Sequence, residues 1–287
     1  MTSHTNAWHY RKRKALDHTM RAICMLMALA IMVPLASLIL YVTLKGIKRF
    51  DLDFFTHLPA PVGEPGGGMA NAIVGTLTMV GIACLISLPI SLMTAIYLSE
   101  FGKSGRFAMV IRFTADVLSG VPSIVTGIFV YQILVKQVHH FSALAGGAAL
   151  AILMIPVVTR TSEELLKLVP GSLREGSLAL GVPRWKTIVF VVLHAARNGI
   201  VTGILLAVAR VSGETAPLLF TALNNQFWSH GLQQPTASLT VQVFTFAISP
   251  FQDWQDQAWT GALVLLILVI GIGLSARLVL KGKITPQ

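Results

Sequence analysis

The chain has 287 residues, 54% of them hydrophobic and only 12% charged, where an ordinary soluble domain carries about 25% charged residues. That balance excludes a single aqueous globule and points to an integral membrane protein. The excess of 22 Lys and Arg over 12 Asp and Glu, a net charge of +10, would suggest a nucleic-acid partner in a soluble protein, but in a membrane chain it reports topology.

The chain opens with a basic run, Arg11 to Lys14, followed by residues 22–44 without a single Asp, Glu, Lys or Arg. As a helix this stretch is roughly 35 Å long, too long for a signal-peptide core and enough to cross hydrocarbon, so it reads as an uncleaved first span. An outer segment, 45–71, carries Pro59, Pro61 and Pro65 and the run Gly66, Gly67, Gly68. Further spans are expected at 72–98, 113–135, 143–160, 188–219 and 257–279, which gives an all-α protein with six transmembrane helices. Cys24 and Cys84 both lie in apolar runs and form neither a metal cluster nor an extracellular disulfide framework.

With the N-terminus inside, 17 of the 22 basic residues fall in the segments 11–21, 103–112, 160–197 and 277–283. The positive-inside rule therefore places both termini in the cytoplasm. A second long outer segment, 220–256, includes an apolar patch at 239–248. It is too short to span and reads either as an interfacial or re-entrant helix or as a loop packed on the spans.

The inner segment 161–194 is punctuated like short helices outside the membrane. Ser172 and Glu175 have the spacing of a capping box, and Gly181 and Pro183 stop the helix, which leaves about eight residues, 173–180. A helix that short must be held by packing. It is either a connector or a knob, bearing Leu178 and Leu180, on which another protein pushes.

Charges within the spans mark the other candidate site, because they are costly there and face protein or water. Arg210 and Glu214 have i,i+4 spacing, which permits an ion pair. On a helix they share a face, within about 80°, with Gly199, Gly203 and Ala207, and small residues let another helix approach that face. Either Arg210 lines a path and offers its guanidinium donors to an anionic oxygen while Glu214 holds it, or the pair is a structural bridge between subunits. Arg112 and Asp116 repeat the spacing ahead of Gly120, Val121, Pro122 and Ser123. The plain reading is an interfacial ion pair and a packing kink; the alternative is a kink that lines a cavity, with Ser119, Ser123 and Thr126 beside it.

Signals for chemistry within the chain are lacking. Gly102, Lys103 and Ser104 lack the first glycine of a phosphate-binding loop, since Tyr97 stands in its place. Adjacent His139 and His140 do not share a helical face, and no G-x-S-x-G or paired carboxylates occur, so neither catalysis, metal nor cofactor is expected.

Glu175, Gly176, Ser177, then Gly181, then Val191, Leu193 and His194 resemble the coupling loop of bacterial ABC-transporter permeases, E-A-A, three residues, G, nine residues, I-x-L-P. Gly176 and Ser177 replace the two alanines, Val191 the isoleucine and His194 the proline. The stretches 66–77, 119–131 and 209–228 narrow the resemblance to the PstA family of phosphate-importer permeases, over about 66–275. That resemblance implies a type I ABC importer fold in the bacterial inner membrane, with residues 66–287 as a permease core of five transmembrane helices and 1–65 as the cytoplasmic N-terminus, first transmembrane helix and outer loop. It also implies a PstC-like second permease, two PstB-like ATP-hydrolysing subunits and an extracytoplasmic PstS-like phosphate-binding protein. Ser172, Arg174, Glu175, Ser177, Leu178, Leu180 and Gly181 would then couple to the ATPases, and Arg210, Glu214, Asp116, Ser119, Ser123 and Thr126 would line the path. An importer of another oxyanion, or a carrier that uses Asp116 and Glu214 as proton sites without ATPases, is the competing reading.

Overall fold

Long apolar runs with few internal breaks fold in the computed structural model into helices, and no strand occurs among the described residues, 4–64, 66–102 and 105–281. Lys103 and Ser104, which complete the loop-like run after Gly102, lie outside them. The helices are α1 (His4–Gly46), α2 (Leu52–Thr56), α3 (Ala70–Phe101), α4 (Arg106–Gly120), α5 (Ser123–Val138), α6 (Ala143–Lys167), α7 (Gly171–Ala179), α8 (Arg184–Ser212), α9 (Ala216–Thr221), α10 (Leu239–Ala247) and α11 (Gln252–Lys281).

Five of these helices are long and apolar enough to cross a membrane, and α4 with α5 supplies a sixth crossing if the bent pair counts as one. The expected continuous third span, 113–135, is therefore corrected: its two halves meet at 104°. Pro122 drives its predecessor out of helical geometry, and Val121 is extended at φ −69°, ψ 129°. The fifth span is also shorter than expected. α8 ends at Ser212, with Gly213 as its C-cap, and a separate short helix follows, with Pro217 in its first turn.

The core is built where small residues let helices close. α3 and α6 make the most extensive helix–helix contact, with Met79, Ile82 and Ala83 packed against Leu150, Met154 and Val158. Gly147 is needed there, since a Cβ at that position would lie 2.5 Å from Ile82 Cγ2. Ala207 and Val211 of α8, Leu218 of α9 and Val241 of α10 close the same cluster.

α1 stands apart: no part of its apolar window is buried, so it presents Leu and Met side chains to lipid or to another subunit. Its far end is fastened to α11. Thr260 Oγ1 donates to the Gly46 carbonyl at 2.9 Å, Tyr41 packs edge-on against Trp259, and Arg49 pairs with Asp253 at 2.6 Å. The patch at 239–248 forms α10, a packed helix with Leu239, Val241 and Phe246 buried. Ser238 caps it by accepting from Val241 N–H, and Thr76 Oγ1 accepts from Leu239 N–H at 2.8 Å.

Candidate functional site

α7 is a nine-residue helix set between the ends of α6 and α8. Pro170, at φ −57° and ψ 139°, occupies its N-cap, and no side chain caps it. The expected Ser172–Glu175 capping box is thus not formed, because the helix begins at Gly171 and places Ser172 inside the first turn. The C-terminal end follows the expectation. Gly181 is left-handed at φ +78°, Gly181 N–H donates to the Leu178 carbonyl and Val182 N–H to that of Ser177, which closes the helix with a glycine-dependent double bond. Gly181→Val should destabilise that end by about 1–2 kcal/mol, read as faster amide exchange across 177–182.

Most of α7 is exposed, including Ser172, Leu173, Glu175, Leu178 and the following Leu180, the last at 84%. Leu168 and Trp185 flank it, also exposed. Two residues turn inward. Ser177 is buried and shares a 2.9 Å hydroxyl hydrogen bond with Thr187 at the start of α8. Arg174 reaches Glu100, at the π-helical end of α3, with Nε at 3.1 Å and Nη2 at 2.8 Å from Oε1. Its Nη2 also donates to the Leu166 carbonyl and its Nη1 to that of Val169. The position of the family's proline holds His194, and α8 runs through it unbroken after a π-helical turn at Thr187–Val192.

Beside this loop lies an ion-pair cluster. Glu163, 0% exposed, accepts from Arg112 Nε at 2.7 Å and Arg160 Nη1 at 2.7 Å and pairs with Lys167 Nζ at 2.9 Å. Arg160 also holds Asp116 at 3.0 Å. Arg112 and Asp116 therefore do not pair along α4 as their spacing suggested; each faces α6 instead, where closer partners stand. Replacing Glu163 with Leu would leave Arg112 without a carboxylate and take from Arg160 and Lys167 the partner they share, and the purified protein should lose about 3–5 kcal/mol of stability, measured as a lowered melting temperature in detergent.

The second site also differs from expectation. The stripe of small residues on α8 does meet a helix, α6 of the same chain, where a Cβ on Gly203 would sit 2.6 Å from Thr161 Cγ2. Arg210 and Glu214 make no ion pair, because the helix that would align them ends at Ser212. Among the described residues Arg210 is exposed with no salt bridge, and Glu214 is half-buried, its carbonyl accepting from Thr240 Oγ1. Ser119 is exposed and back-bonded to Ala115, Ser123 is half-buried, and Thr126 is buried. The adjacent Gly127 packs so tightly on Pro217 of α9 that a Cβ would lie 2.6 Å from its Cα.

Sequence reasoning passed over Glu100 and Glu163. Each is a carboxylate at the end of a long apolar run, where burial with a cation is the expected fate.

Comparison with known proteins agrees with this architecture. Residues 87–281 match the model of the binding-protein-dependent transport system inner membrane component family. The chain is 49% identical over 239 residues to the phosphate transport system permease protein PstA of Yersinia pestis, covering 83% of this chain and 81% of that protein. It is 42% identical over 275 residues to PstA of Pasteurella multocida, covering 96% and 98%. An inward-facing MetNI methionine ABC transporter structure superposes with a TM-score of 0.58 at 17% identity, covering 74% of this chain and 95% of that one, which establishes a shared fold. A multi-pass, all-helical bundle with these matched residues belongs to the binding-protein-dependent transport system inner membrane component family.

Proposed function

We propose that this chain is one of two permease halves of an ATP-driven importer that carries inorganic phosphate across the bacterial inner membrane. Its likeness, at 42–49% identity, to proteins named as phosphate transport permeases carries this reading. A PstC-like permease completes the path, a PstS-like binding protein delivers phosphate from outside, and two PstB-like subunits hydrolyse ATP. Both termini lie in the cytoplasm, since the basic segments gather on that side. Loop 161–194 then faces the ATPases, and α7 with Leu173, Glu175, Leu178 and Leu180 is the coupling knob that docks on one of them.

Arg210 fits the path without Glu214. A guanidinium is permanently charged and offers forked donors to phosphate oxygens, and Arg210 is exposed and makes no salt bridge among the described residues. Glu214 is held at the α8–α9 turn by its backbone, its carbonyl accepting from Thr240 Oγ1. The proton-carrier reading is disfavoured by Asp116, whose carboxylate is already held by Arg160. Purification of the tagged chain from native membranes tests the assembly: ATPase subunits should come with it, and their consistent absence would sink the importer reading.

A further inference from the structure

Around α7 the side chains form a connected polar network rather than isolated surface pairs. An open hollow of about 510 Å³ is lined by Arg112, Arg160, Lys167 and Arg174, yet each of these cations already meets a carboxylate. The cluster is therefore charge-balanced and suited to holding helices together rather than to capturing an anion.

The connections run in one direction through the fold. Arg174 of α7 forks onto Glu100, which is only 7% exposed. The Glu100 carbonyl accepts from Arg184 Nη2 at 2.5 Å, and that guanidinium lies over the Phe101 ring. The last turn of α3 is thus gripped from within α7 and from the residues that follow it. The same turn is gripped from its other side by Arg112 Nη2, which donates to the Leu98 carbonyl at 3.0 Å and the Gly102 carbonyl at 3.2 Å. Arg112 then bonds Glu163, Glu163 bonds Arg160, and Arg160 bonds Asp116. Asp116 sits one turn before α4 ends and the chain bends by 104° into α5.

Coupling between sites needs contiguous contacts and an element with two arrangements. At the bend, α4 and α5 are joined only by the extended residues Val121 and Pro122. We propose that Arg174 and Glu100 are the positioning pair through which movement of α7 reaches the α4–α5 bend, by way of Arg112, Glu163, Arg160 and Asp116. The proposal rests on the reading of α7 as the coupling knob. Its physical logic is that Glu100 and Glu163 are buried, so breaking either contact is far costlier than breaking an exposed pair. The links at Glu100 and Glu163 are therefore the stiff part of the relay, and the exposed Arg160–Asp116 contact is its weakest link. Asp116, previously a path candidate, becomes the far end of this relay.

The test uses the complete importer reconstituted in lipid with its binding protein and inorganic phosphate. The readouts are phosphate moved per ATP hydrolysed and the ratio of phosphate-stimulated to basal hydrolysis. Arg174→Gln should lower that ratio roughly fivefold or more, while ATPase subunits stay bound. Arg174→Lys, which keeps charge but not the fork, should fall between it and the unaltered protein. Asp116→Asn, at an exposed position where the fold of the chain is not at stake, should show the same uncoupling. Full stimulation in Asp116→Asn, or in an assembled Arg174→Gln complex, would overturn the relay. Should Arg174→Gln fail to assemble, the Lys and Asn variants decide. Glu175→Lys separates the two ideas. If it leaves ATPase association and uptake intact, the knob reading itself falls; if it blocks uptake while the Arg174 and Asp116 variants remain coupled, only the relay falls.

Discussion

Glu175→Lys is expected to reduce phosphate uptake to roughly a tenth or less, because it reverses a charge at the centre of the proposed docking surface, where electrostatic complementarity sets the contact. Glu175 is exposed on α7, and no hydrogen bond or ion pair ties it to the described residues. The fold of the chain should therefore be unaffected. The helix also keeps its C-terminal closure at Gly181 and its inward anchors, Arg174 and Ser177. The defect should appear as weakened recovery of ATPase subunits with normal levels of the permease in the membrane. Normal uptake together with normal ATPase association would refute the docking role.

Arg210→Gln is the second large effect. The substitution keeps hydrogen-bond donors but removes the permanent charge, and an interaction between a charged donor and an anion is worth roughly ten- to a hundredfold in affinity or rate. Since Arg210 has no ion-pair partner among the described residues, nothing within the chain should unfold. Uptake should fall at low external phosphate while the complex co-purifies intact. If the complex dissociates instead, Arg210 bridges the two permeases and does not touch cargo.

Much of the helical layout was legible in the sequence because lipid leaves few options: a run of some 20 apolar residues must be a helix, and its position follows from hydropathy alone. Residues 72–98 and 143–160 accordingly fall inside α3 and α6. What hydropathy could not supply was direction within a run. The bend at Pro122 and the end of α8 at Ser212 fall inside stretches that read as continuous spans. Both breaks come from local backbone geometry at Pro122 and Gly213.

The site was legible in its backbone punctuation and lost in its side-chain pairings. The short exposed helix and its Gly181 stop depend on neighbours within a few residues, and both are present, although the Ser172–Glu175 capping box is not formed. Pairings read from i,i+4 spacing failed twice, at Arg112 with Asp116 and at Arg210 with Glu214. In the first case partners on α6 lie closer, and in the second the helix ends before the spacing can act. The Glu100–Arg174 contact joins residues 74 positions apart, a separation that no periodicity reports.

Whether this chain moves inorganic phosphate is read most directly by uptake of labelled phosphate at low external concentration. Cells lacking the chain and cells with it restored are compared, with sulfate and molybdate run alongside. Loss and recovery confined to phosphate is the expected result. Unchanged phosphate uptake with loss of another oxyanion would contradict the cargo assignment while leaving the importer architecture in place.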